Sequence, residues 1–183
     1  MQKMERLISM NNHKCIQFRP KNASDIYYIT IINGYGCYSY VGQNTGISMV
    51  REVIIMHELL HTLGFFHEQS RPDRDSYVRV NYANIWPGYG SNFDKYNNTV
   101  VDTLNTPYDY TSVMHYEPGA FSSNGLPTIE PLQAGAKIGQ RRNMSTIDIE
   151  EVRILYNCSA SGQTLPPIST TTTGLFRFYL LYI

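Results

Sequence analysis

Eleven consecutive residues carry most of the chemistry this chain could perform: His57-Glu58-Leu59-Leu60-His61-Thr62-Leu63-Gly64-Phe65-Phe66-His67. Histidines four positions apart on a helix share one face, so His57 and His61 can offer imidazole nitrogens to a single ion. Glu58 stands one step round from His57, near enough to reach a water on that ion without ligating it. Gly64 adopts a positive φ readily and can end the helix, turning the chain so that His67 comes back to the same ion. Three neutral histidines leave Zn²⁺ an open position for water, which is the arrangement of catalytic rather than structural zinc. A buried helix that merely happens to carry histidines does not account for a third one at this offset behind a glycine.

A second segment, Ser112-Val113-Met114-His115-Tyr116, follows Tyr108-Asp109-Tyr110. A methionine in a tight turn is the confirming context for the extended histidine motif in the metzincin clan. Met114 would pack its polarisable thioether beneath the imidazoles, and Tyr116 would project its phenol towards the metal. His115 stays outside the ligand set.

These residues resemble one family, the astacins. Past His67 the chain reads Glu68-Gln69-Ser70-Arg71-Pro72-Asp73-Arg74-Asp75, like the family's H-E-x-x-R-x-D-R-D extension. Ser112 to Tyr116 match its S-x-M-H-Y turn, Gly36 to Gly42 resemble its G-C-x-S-x-V-G segment, and Leu155-Tyr156-Asn157-Cys158 its closing L-Y-x-C. The resemblance runs from about Met1 to Cys158. It implies an α+β metzincin fold in two subdomains. The N-terminal half would hold a twisted mixed sheet and the zinc helix. The C-terminal half would be irregular, with the Met-turn and a final helix.

The resemblance also implies roles. One zinc per chain is held by His57, His61 and His67, with Glu58 as general base and then acid. Tyr116 is a switchable ligand that becomes an oxyanion donor, since a phenol accepts from a metal in one state and donates in the other. Glu68 reads either as a surface carboxylate or, as in the family, as a buried one paired through water with the matured amino terminus. Arg71, Arg74 and Asp75 tie down their loop through ion pairs. Arg141, in Ile138-Gly139-Gln140-Arg141-Arg142, resembles a basic residue bordering the pocket for the residue after the cleaved bond. It reads equally well as a solvated loop charge.

Three cysteines are present, Cys15, Cys37 and Cys158. The family pattern implies a Cys15–Cys158 bridge, worth about 2–5 kcal/mol. It leaves Cys37 without the partner that relatives carry shortly before the zinc helix, because the stretch from Gly42 to Glu52 is shorter here. That stretch includes the sheet edge on which a substrate strand is expected to lie, from Ile47 to Val50.

The 183 residues carry a net charge of +0, 16% charged residues and 15 tyrosines. This balance suits a globular extracellular protein with no basic footprint for nucleic acid, and the resemblance implies a monomer acting on a protein or peptide. No run is long enough to span a membrane. Met1 to Met10 lacks the apolar core of a signal peptide, so a secreted protein of this family would have lost its front. Asn22-Ala23-Ser24, Asn97-Asn98-Thr99, Asn143-Met144-Ser145 and Asn157-Cys158-Ser159 match the glycosylation sequon.

Apolar spacing predicts a first helix through Met4, Leu7 and Ile8 ending near Asn11-Asn12. It predicts strands at Cys15–Phe18 and Tyr27–Ile32, with an Asn33-Gly34 turn after the second. A zinc helix is expected from about Val50 to Leu63. A last helix is expected to be capped by Ser145 and to run to about Tyr156, with Ile149, Val152, Ile154 and Leu155 facing inward. Residues 1–158 read as the catalytic domain. Residues 159–183 read as a Ser/Thr/Pro linker with a short apolar tail. Two other readings remain: a zinc-binding relative impaired by the short segment before His57, and a non-enzymatic extracellular binding module.

Overall fold

Helix α1 (Gln2–Ile8) forms where Met4 and Ile8, one turn apart, are both fully buried. It ends at Ile8, before the expected Asn11-Asn12, because Ser9 turns to extended backbone with ψ 151°. The computed structural model describes residues 1–11, 13–25, 28–29, 31–32, 41, 47–48 and 52–158. Cys37, the Gly42–Gly46 stretch, the Asn33-Gly34 turn and the tail after Cys158 lie outside them.

Two compact units divide the chain, Met1–Phe65 with Ile149–Ile183, and Phe66–Asp148. In the first, strand β1 (Ile31–Ile32) pairs in parallel with β2 (Ile47–Ser48), Ile31 opposite Ile47. Helix α2 (Glu52–Thr62) buries Met56, Leu59 and Leu60, and buries His57, Glu58 and His61 with them. Helix α3 (Thr146–Leu155) belongs to this unit from Ile149 onward. Arg153 donates to the carbonyls of Ile8 at 2.8 Å, Leu7 at 3.3 Å and Ser9 at 2.6 Å. A cation is thereby placed on the orphan carbonyls at the end of α1. Nearby in sequence, Cys158 is bridged to Cys15, with Cα atoms 5.4 Å apart.

Two expectations need correction here. Cys15–Phe18 forms no strand: Ile16 and Phe18 are buried and Gln17 is exposed, but the Phe18 N–H goes to buried Glu5 at 2.7 Å instead of to a ladder. Alternating burial reports which side chains face inward, not which backbone groups pair. In α3, Val152 is fully buried, whereas Ile154 and Leu155 are 44% and 46% exposed. At about 100° per residue Ile154 points away from Val152, and Leu155 lies at the edge of the buried face.

The second unit is not wholly irregular. Strands β3 (Val78–Val80) and β4 (Ile129–Pro131) pair antiparallel, Arg79 opposite Glu130. Leu132 N–H bonds to Tyr77 and Asn81 N–H to Thr128, both at 2.8 Å. Val78 and Pro131 thus form a non-hydrogen-bonded pair, where the missing proline N–H leaves no gap in the ladder. Against this ribbon pack Ile85, Phe93, Tyr108 and Ile138, with Tyr77 stacked on Tyr108 at 4.6 Å. No helix among the described residues is long and apolar enough to cross a membrane.

Candidate metal centre

Helix α2 sets His57 and His61 one turn apart, with ring centroids 4.7 Å apart and planes at 88°. Its end is a left-handed turn: Gly64 has φ 101°, its N–H bonds to His61 O at 2.9 Å, and Phe65 N–H reaches back to Leu60 O at 3.0 Å. This pair of bonds satisfies the last carbonyls of the helix and needs a residue free of a Cβ at position 64. The turned chain brings Phe65 O to His61 Nδ1 at 2.8 Å. A carbonyl only accepts, so Nδ1 carries the proton and Nε2 keeps its lone pair for a metal. His67 follows in extended backbone, φ −68° and ψ 143°.

Donor atoms of His57, His61 and His67 lie within 4.8 Å of one another. Among the described residues this is the group that could hold a metal ion. Three imidazoles with no carboxylate among them suit zinc, and fixing the tautomer of His61 from behind is how metal-ligating histidines are held. Glu58 is buried beside the first ligand in sequence, at 4% exposure.

Below His67 the chain is fastened to the methionine turn. Glu68 N–H donates to Met114 O at 3.2 Å, and Gln69 Oε1 accepts Tyr116 N–H at 3.0 Å. Met114 is buried, and the Tyr116 ring centroid stands 4.5 Å from that of His67. Burial pushes the Tyr116 phenol up to about 12. Glu68 is a buried carboxylate: it accepts Asp109 N–H at 2.7 Å and lies 3.6 Å from the Arg71 guanidinium. Arg71 also grips Asp73 through two bonds, while Arg74 pairs with Asp75, as expected of loop ion pairs.

His115 is fully buried and outside the ligand set. Its Nδ1 faces Tyr116 O at 2.8 Å and its Nε2 faces the Tyr108 hydroxyl at 2.7 Å. Nδ1 therefore donates, Nε2 accepts from the phenol, and burial lowers the imidazole to about 4. Arg141 is exposed and donates to His115 O at 2.8 Å. The segment that delivers it needs Gly139: at φ 80°, a Cβ there would fall 2.2 Å from the Glu117 Cα.

Sequence reasoning missed the residue that shapes the turn. Asp148 accepts Ser112 O–H at 2.6 Å, Val113 N–H at 3.0 Å and Ser145 N–H at 2.7 Å, and burial raises its pKa. Ser145 returns a bond to Asp148 N–H at 2.8 Å, so the pair is a capping box. The Ser-x-x-Asp spacing was the signal available. Gln69 and the Phe65 carbonyl left no such mark.

The fold is α+β, with a three-histidine cluster of the kind that holds catalytic zinc. The family model described as Astacin, a peptidase family, matches residues 2–157, and the chain belongs to that family. It is 49% identical over 164 residues to zinc metalloproteinase nas-13 of Caenorhabditis elegans, covering 85% of this chain and 36% of the relative. Identity to the human meprin A subunit beta is 43% over 157 residues, covering 80% of this chain and 22% of that one. A solved structure of high choriolytic enzyme 1, a hatching enzyme zinc-protease from Oryzias latipes, superposes with a TM-score of 0.75 at 41% identity. The match covers 86% of this chain and 81% of that chain. Among five nematode relatives the chain spans 30% to 49% of their length. Zinc is the cofactor of this family, and His57, His61 and His67 are the residues here that fit it.

Proposed function

We propose that this chain is a secreted zinc-dependent endopeptidase that hydrolyses peptide bonds of extracellular proteins. The observation that carries the reading is the gathering of three histidine donors within 4.8 Å, with buried Glu58 beside the first, in a chain of the astacin family. When bound, zinc supplies a lowered water pKa and polarises the scissile carbonyl. Glu58 takes the proton of the attacking water and delivers it to the leaving amine nitrogen. Tyr116 donates its phenolic hydrogen to the oxygen that gains charge in the transition state, a role supported by its approach to His67. Met114 and Gly64 support the ligands from turn and helix end, and Glu68 anchors the stretch after His67.

An extended substrate would add along β2 as an antiparallel strand, and Arg141 would favour an acidic residue after the cleaved bond. The Cys15–Cys158 bridge favours an oxidising, extracellular setting. Residues 1–158 form the catalytic domain of a monomer in this reading, and 159–183 a linker and tail.

Metal analysis and hydrolysis of an unfolded protein substrate test the reading together. One zinc per chain is expected; a chelator should remove metal and activity, and zinc should restore both. Hydrolysis that persists after complete zinc removal would contradict it. A second reading, a zinc-binding but impaired relative, draws support from the sequence between Gly42 and Glu52, which is shorter than the family's segment and lacks its cysteine. A parent chain that binds zinc and hydrolyses nothing would favour that reading.

A further inference from the structure

Four stretches match the Asn-x-Ser/Thr sequon, at Asn22, Asn97, Asn143 and Asn157, and their asparagines are all exposed. Glycan transfer makes the side-chain nitrogen a nucleophile. Nδ2 forms a bond to the anomeric carbon of a lipid-diphosphate-linked oligosaccharide, the bond from that carbon to the diphosphate oxygen breaks, and Nδ2 gives up one proton. An amide nitrogen is a poor nucleophile, so its presentation matters. When Oδ1 accepts both the N–H and the hydroxyl of the residue two positions on, the carboxamide is locked and its planar geometry turns Nδ2 outward.

Among the described residues, two sequons have this arrangement. Asn22 Oδ1 accepts Ser24 N–H at 3.1 Å and Ser24 O–H at 2.7 Å. Asn97 Oδ1 accepts Thr99 N–H at 3.0 Å and Thr99 O–H at 2.5 Å. Both turns are braced: Asp25 accepts Asn22 N–H at 2.8 Å while held by Arg19, and Val100 and Val101 N–H both bond to Asn97 O at 3.0 Å.

At Asn143 the same groups are committed elsewhere, and Asn157 is itself held at the end of a helix. Ser145 N–H and O–H, which a turn at Asn143 would need, go to Asp148 and Asp109 in the cap of α3. Asn157 is the left-handed residue ending α3, with φ 50° and its N–H on Ile154 O at 3.0 Å, and its neighbour Cys158 is bridged. The two Asn-centred turns close within two to four residues, so their preference is already present in a nascent chain.

We infer that Asn22 and Asn97 are N-glycosylation acceptors and that Asn143 and Asn157 are not. The inference rests on the secretory reading above, so its test supplies entry to the secretory route. The full chain behind an added signal peptide is expressed in eukaryotic cells, and its gel mobility is compared before and after an N-glycosidase. Two glycan steps are expected. Asn22→Gln and Asn97→Gln each remove one step and the double variant shows none, while Asn143→Gln and Asn157→Gln leave both steps in place. A step retained in the double variant, or a parent chain exported without any shift, would overturn the assignment. The chain's own route is read separately, from where the protein accumulates when no signal peptide is added.

Discussion

Gln69 accepts the backbone N–H of Tyr116 through Oε1 at 3.0 Å, and Gln69 is itself fully buried. With the Glu68–Met114 bond one residue earlier, this is a two-rung tie between the stretch that carries His67 and the turn that carries the phenol. The position of the Tyr116 ring against His67 is therefore a property of Gln69 as much as of the turn.

Replacing Gln69 by leucine keeps bulk and leaves the part-buried Tyr116 N–H without its acceptor. A loss of about 1–3 kcal/mol in unfolding free energy is expected. Urea denaturation of the Gln69→Leu variant checks this. A variant as stable as the parent would mean that the tie is not formed.

His115 predicts a pH dependence of stability. Its folded value, about 4, lies below the ordinary imidazole value of 6.5, so the unfolded chain binds the proton more tightly between them. The stability that neutral His115 contributes is present above about 6.5 and is lost as pH falls towards 4, up to about 3 kcal/mol. Urea midpoints of metal-free protein across that range should fall more steeply for the parent than for His115→Gln. Parallel curves would contradict a buried neutral imidazole.

Arg141 lies against the His115 carbonyl and is exposed beyond it. If it reads substrate, peptides with Asp just after the cleaved bond should be cut faster than those with Ala, and Arg141→Ala should erase most of the difference. About 1–3 kcal/mol separates the two, a range set by paired guanidinium–carboxylate hydrogen bonds. A preference untouched by the substitution would remove Arg141 from recognition.

The candidate zinc ligands were legible because their geometry is local. Spacing on α2 fixes His57 and His61, and the Gly64 turn at φ 101° fixes the direction of His67. Tyr116, 49 residues beyond His67, entered through the methionine-turn motif and the family resemblance rather than through spacing. Of the supporting acceptors, Asp148 left only the Ser-x-x-Asp spacing of a helix cap, while its hold on Ser112 and the bond from Tyr116 to Gln69 join groups that the fold brings together. Arg153, on the end of α1, is the same kind of case, with its acceptors more than 140 residues away. Periodicity misjudged α3 because an apolar pair, Ile154-Leu155, outweighed the helical phase set by Asp148 and Val152.

The Glu58→Gln variant tests the central claim most directly, since it keeps the shape of the side chain and removes its ability to take a proton. Zinc content and peptide hydrolysis should be measured on the same preparation, beside the parent. The account predicts unchanged zinc, with His57, His61 and His67 intact, and hydrolysis reduced to near background. A glutamine variant that cuts peptides as fast as the parent would contradict the assignment of Glu58 and the hydrolytic mechanism built on it.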